Sequence, residues 1–117
     1  MKVTIGIPAF NEEKNIAGII LKLKKISDDI IVCDDGSTDN TKQLAEDAGA
    51  IVLQHKKNQG YGAAITTLFD YCRKENVDVM VTIDGDGQHN ATEIPLLLDA
   101  ITNHNVDVAI GSRSFND

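Results

Sequence analysis

Apolar and polar positions alternate along this chain in two periods that take turns. Residues 2–8 (Lys-Val-Thr-Ile-Gly-Ile-Pro) are extended and mostly apolar, and they read as a strand halted by Pro8. Ile16, Ile19, Ile20 and Leu23 then recur at helical spacing, with Lys14, Lys22, Lys24 and Lys25 elsewhere on the cylinder; Asn11 is the expected N-cap, and Glu12 and Glu13 suit the helix's positive end. A second strand over 29–33 ends at Asp34-Asp35-Gly36-Ser37. The next helix takes Ser37 or Thr38 as its cap, buries Leu44, Ala45 and Ala48, and closes at Gly49. A third strand over 50–53 precedes a polar stretch and a glycine pair, which open a helix with Ala64, Ile65, Leu68, Phe69 and Cys72 on its apolar face. Residues 77–83 form the fourth strand. A helix with Ile94, Leu97, Leu98 and Ile101 as its stripe, capped by Asn90 or better Thr92, leads to a fifth strand over 106–110.

Strict strand–helix alternation predicts an α/β fold: a mostly parallel sheet of about five strands with about four helices on its two faces. Ligands of such sheets bind beyond the carboxyl ends of the strands. The unusual residues gather there, in Pro8–Glu12, Asp34–Ser37, Asn58–Gly62, Asp84–His89 and Gly111–Arg113.

With 117 residues, the chain is expected to be one domain. A net charge of −7 argues against a nucleic-acid partner and requires any anionic ligand to be neutralised locally. Cys33 and Cys72 have no metal or redox spacing and read as small buried hydrophobes in a reducing, cytoplasmic compartment. No signal peptide or membrane span is apparent.

Asp84 and Asp86 stand one residue apart among glycines where the fourth strand stops. Two carboxylates able to converge suit a hard divalent cation, Mg2+ or Mn2+. A plain strand-end turn is the competing reading. At Asp34-Asp35, a carboxylate could accept a base N–H or a ribose hydroxyl; an Asx-turn would use only one of the two acids. Residues 7–12 could wall a base, although Phe10 taken alone reads as core. Lys56, Lys57, Gly60 and Gly62 bring cations and a helix N-terminus to anionic oxygens, or else form a solvated pair before a cap. Ile65 stands where a dinucleotide fingerprint needs its third glycine, no P-loop occurs, and His55, His89 and His104 lack zinc spacing.

Together, Pro8-Ala9-Phe10-Asn11-Glu12, Asp34-Asp35-Gly36-Ser37-Thr38-Asp39, Asn58-x-Gly60-x-Gly62, Asp84-Gly85-Asp86-Gly87-Gln88-His89 and Gly111-Ser112-Arg113 resemble family 2 glycosyltransferases, which have the GT-A fold. The likeness is nearest to the branch that makes polyprenyl- and dolichyl-phosphate sugars, such as dolichyl-phosphate mannose synthases. The resemblance implies a metal site of Asp84, Asp86 and Gln88 bridging the diphosphate of a UDP- or GDP-linked sugar. It implies nucleoside-donor contacts from Pro8, Ala9, Phe10, Glu12, Asp35, Ser37 and Gly60, and catalytic parts for Asp86 and for Arg113, the latter at the acceptor phosphate. Gly87 departs from the larger apolar residue usual there, and Asn90-Ala91 replaces a Pro-Pro.

The implied function is metal-dependent, inverting sugar transfer to a lipid phosphate at the cytoplasmic face of a membrane. A nucleotide-sugar- and metal-binding module without turnover is the alternative, and a purely structural domain a third. The family's catalytic domain is expected to run about twice this length, which makes residues 1–117 a donor-binding domain lacking an acceptor half. The apolar face of Val106, Val108 and Ile110 then predicts pairing into a homodimer.

Overall fold

The computed structural model describes residues 2–83 with their side chains and the backbone of residues 108–111. The chain runs β1 (Val3–Ala9), α1 (Ile16–Leu23), β2 (Ile30–Asp35), α2 (Thr41–Asp47), β3 (Ile51–His55), α3 (Tyr61–Lys74), β4 (Val79–Ile83) and β5 (Val108–Gly111). All five strands are parallel, in the order β3-β2-β1-β4-β5.

That order makes the chain build outward from β1 to β3, then cross back to the far side of β1. A crossover that keeps its hand while reversing direction along the sheet must use the opposite face. The packing agrees. Ile5 and Ile7 of β1, Ile30 and Val32 of β2, and Val79, Val81 and Ile83 of β4 form one core with Ile16, Ile20 and Leu23 of α1 and Ala45 of α2. Ile31 and Cys33 of β2 and Met80 of β4 form the other with Ala64, Leu68 and Cys72 of α3. The two-residue period thus sorts each strand's side chains between two helical layers, which is why these strands read as continuous apolar runs. Truncating the fully buried Leu68 to Ala would cost about 2–5 kcal/mol.

Several expected boundaries shift, each for an identifiable reason. Pro8 does not halt β1: it pairs with Cys33 of β2, beyond Gly6, where the β1–β4 ladder ends. Strand β2 continues through both aspartates, and β3 runs on to His55, because Asp34 and Asp35 keep register with Gln54 and His55. Asn11 does not cap α1. It has φ 52°, and α1 begins five residues later, after a turn in which the Glu12 carbonyl accepts the N–H groups of Asn15 and Ile16. Neither Ser37 nor Thr38 caps α2; Asn40 holds the N-cap position without a side-chain bond, while Asp39 Oδ1 accepts the Thr41 N–H at 2.9 Å. Gly62 lies inside α3 rather than ahead of it. The expected helix over residues 92–101 lies outside the described residues. Both cysteines are free and buried, as expected. Among the described residues, no helix is long and apolar enough to cross a membrane.

Candidate functional site

Sheet order reverses at β1, and ligands of such sheets bind beyond the carboxyl ends of the strands. A cleft of about 150 Å³ opens at this edge, lined by Pro8, Ala9, Phe10, Asp35, Asn58, Gly60, Tyr61 and Ala64. Five of the residues expected to contact a nucleoside, Pro8, Ala9, Phe10, Asp35 and Gly60, therefore meet on one surface. Phe10 is not core: it is 44% exposed, and Tyr61 is 53% exposed. Both stand at the cleft and give it aromatic surface.

Asp35 is the best-held group of the site. Its Oδ1 accepts the Gln59 N–H at 2.8 Å and His55 Nδ1–H at 2.7 Å, and its Oδ2 accepts the Gly60 N–H at 2.9 Å. Burial alone would raise its pKa; the bonds from His55, Gln59 and Gly60, together with attraction to His55, outweigh that and hold it below the ordinary carboxylate value. Its neighbour Asp34 points to the other face of the sheet, where its Oδ1 accepts the Ser37 N–H at 3.0 Å. The doublet therefore divides its work: Asp34 makes the Asx-turn, and Asp35 fixes the β3–α3 loop. Gly36, at φ +74°, brings the two loops into backbone contact, since a Cβ there would lie 2.4 Å from Asn58 N and Lys57 C.

Glu12 and Ser37 are not part of the cleft lining. Their atoms tie the β1–α1 loop to the β2–α2 loop: Ser37 Oγ accepts the Asn11 N–H at 2.8 Å, and the Glu12 N–H donates to Thr41 Oγ1 at 2.8 Å. Asn11 Oδ1 accepts the Thr38 N–H at 2.9 Å, and Asp39 Oδ2 accepts the Glu13 N–H at 3.3 Å. These bonds set the angle at which Phe10 enters the cleft. Asp84, Asp86, Gln88 and Arg113 lie outside the described residues, although β4 ends at Ile83 on this same edge of the sheet. Among the described residues, no cluster of three metal-ligating side chains occurs.

None of His55, Tyr61, Ala64 and Thr67 was expected at the site from sequence: Ala64 was read as helix core, and His55 only as lacking zinc spacing. His55 was legible only through strand register, which sets it beside Asp35. Its Nε2 lies 2.7 Å from Thr67 Oγ1 and 3.7 Å from Cys33 Sγ. A Cys-His-Asp grouping of this kind suggests a nucleophile, but Cys33 is fully buried. Burial first, then the charges of Asp35 and Asp34, push its thiol up to about 11, so it remains a neutral thiol.

Residues 4–117 match the family model described as glycosyl transferase family 2. The UDP-N-acetylglucosamine–dolichyl-phosphate N-acetylglucosaminyltransferase of Methanococcus voltae is 34% identical over 128 residues, covering 94% of this chain and 51% of that protein. The dolichol-phosphate mannosyltransferase of Pyrococcus furiosus is 34% identical over 121 residues, covering 97% of this chain and 33% of its own length. Among solved structures, glucosyl-3-phosphoglycerate synthase from Mycobacterium tuberculosis, in complex with Mn2+, UDP-glucose and phosphoglyceric acid, superposes with a TM-score of 0.73 at 28% identity, over 88% of this chain and 40% of that one. The chain spans about half the length of the curated relatives it matches first, 46% and 51%. A match over nearly every residue, joined to a parallel sheet with its cleft at the carboxyl ends of β1 and β2, places the chain in glycosyl transferase family 2 with the GT-A fold.

Proposed function

We propose that this chain is the donor-binding part of a glycosyltransferase that moves a sugar from a nucleoside-diphosphate sugar to a polyprenyl phosphate. The observation that carries the reading is the convergence of Pro8, Ala9, Phe10, Asp35 and Gly60 on one cleft at the carboxyl edge of the sheet. Pro8, Ala9 and Phe10 supply one wall for the base, and Asp35, held rigid by its three donors, offers its remaining acceptor capacity to a base N–H. Glu12 and Ser37 contribute by bracing the loop that carries Phe10. Asp84, Asp86 and Gln88, hard oxygen donors following β4, are the residues to hold Mg2+ or Mn2+. A divalent ion there would supply neutralisation of the diphosphate charge as the nucleotide departs.

The lipid-phosphate acceptor is favoured by relatives that are dolichyl-phosphate transferases. Its phosphate oxygen, anionic at neutral pH, forms the new bond to the anomeric carbon as the bond to the nucleoside diphosphate breaks, so no strong general base is required. Arg113 is assigned to that phosphate.

Isothermal titration with UDP and GDP, each with and without Mn2+, tests the reading, beside a transfer assay on a polyprenyl phosphate. One nucleotide should bind in an Mn2+-dependent manner, and Asp86→Ala should remove that dependence without unfolding the chain. Binding without transfer would make the chain a donor-binding module. Absence of binding by either nucleotide would overturn the proposal.

A further inference from the structure

His55 lies outside the cleft lining, yet three elements meet on it. It ends the edge strand β3, stands in register with Asp35 of β2, and reaches Thr67 of α3. Its side chain is only 10% exposed, and both ring nitrogens are engaged at 2.7 Å. A carboxylate only accepts, so Nδ1 carries a proton; in the neutral ring Nε2 then accepts the Thr67 hydroxyl. The two ends therefore do different things. The Nε2 end joins β3 to α3. The Nδ1–H end shares Asp35 Oδ1 with the Gln59 N–H, and so fixes the carboxylate plane in which Oδ2 meets the Gly60 N–H. The loop held by those bonds carries Asn58, Gly60 and Tyr61, half of the eight-residue cleft lining when Asp35 itself is included.

We propose that His55 is a positioning residue for the nucleoside pocket: its Nδ1–H locks the Asp35 carboxylate and, through it, the Asn58–Tyr61 rim. The inference rests on the nucleoside-pocket reading for its ligand, but not for its geometry, and the two can fail separately.

Asparagine and glutamine separate the ends of the imidazole. The amide nitrogen of Asn stands near the place of Nδ1, and that of Gln near the place of Nε2. His55→Asn keeps a donor for Asp35 and gives up Thr67; His55→Gln does the reverse. Thr67→Val removes the Nε2 partner and leaves His55 in place. Two readouts are taken on the full chain: hydrogen exchange of the Gln59 and Gly60 amides without ligand, and titration with UDP and GDP in the presence of Mn2+.

In His55→Gln, protection of both amides and nucleotide affinity should each fall about tenfold or more, the scale of one lost bond to a charged group. His55→Asn and Thr67→Val should stay within about threefold of wild type in both, although their melting temperatures drop like that of His55→Gln. Equal losses in His55→Asn and His55→Gln, or a loss in Thr67→Val as large as in His55→Gln, would show generic packing and overturn the proposal. Thr67→Val alone decides the matter if a His55 variant does not fold: protection lost there refutes it, and protection kept supports it. If wild type binds neither nucleotide while the exchange pattern holds, the functional reading falls and the positioning role stands.

Discussion

Gly36→Ala is the most demanding test of how the cleft is assembled, and Gly60→Ala is its control. Both glycines have positive φ, +74° and +102°, so an added side chain costs each about 1–3 kcal/mol of backbone strain. They differ in what a Cβ would meet. At Gly60 no described residue lies within 4 Å, whereas at Gly36 the Cβ would sit 2.4 Å from both Asn58 N and Lys57 C. Those are backbone atoms and cannot rotate away, so the β2–α2 and β3–α3 loops must separate. Separation draws the Gln59 and Gly60 N–H groups off Asp35, from 2.8 and 2.9 Å. Each such bond to a charged acceptor contributes about 1.5–3 kcal/mol, and a buried carboxylate left short of donors adds to the loss. Gly36→Ala should therefore destabilise by about 3–6 kcal/mol more than Gly60→Ala, a large share of the roughly 5–15 kcal/mol available to a domain. Urea unfolding followed by circular dichroism gives the difference from the two midpoints. A Gly36→Ala midpoint equal to or above that of Gly60→Ala would show that the loops move apart freely, and the idea of a braced cleft would go with it.

Four further outcomes are expected. Asp35→Asn should weaken nucleoside binding by about 1.5–3 kcal/mol in titration, because an amide can replace at most one oxygen's acceptor function; unchanged affinity would remove Asp35 from the pocket. The folded pKa values of Asp35 and Asp39 are depressed below 3.8, so the stability they contribute is present above that pH and lost as pH falls through their folded values. Melting temperatures recorded down that acid limb should fall less steeply in Asp35→Asn than in wild type. Cys33 and Cys72, buried with raised pKa values, should resist a thiol reagent in the folded chain at roughly pH 8 and react only on unfolding; rapid labelling would contradict their packing. Among the described residues, Thr82 Oγ1 is buried without a hydrogen-bond partner, so Thr82→Val should leave the melting temperature unchanged or raise it, by the equivalent of about 1–2 kcal/mol; a marked drop would mean that the hydroxyl is satisfied in solution.

The aspartate doublet shows what sequence could and could not disclose here. The alternation of strand and helix, and the gathering of polar loops at one edge, follow from periodicity, which depends on local residue order alone. Asp34-Asp35 was legible as a pair of acids at a strand end, but not as two acids with opposite duties. That distinction needs the strand to continue through them, because only a two-residue period sends Asp34 to the face of Val32 and Asp35 to the face of Cys33. Charge at a strand end argues for a turn, and the argument fails because β3 extends to His55 and supplies both the ladder and a donor for the second carboxylate. The pairing of His55 with Asp35 was illegible for the complementary reason: the two lie 20 residues apart and meet across the strand pair, so no short motif contains them. Asn11 misled differently. An asparagine before two glutamates has the composition of a helix start, but its side chain accepts the Thr38 N–H from another loop, a tertiary bond that outcompetes local capping. In each case the residue types announced the chemistry and the sheet decided the recipient. The same β2–β3 register brings the donor that fixes Asp35 onto the cleft side of the sheet, so a substitution that shifted this ladder by one residue would turn His55 to the opposite face and unmake the pocket without touching its lining.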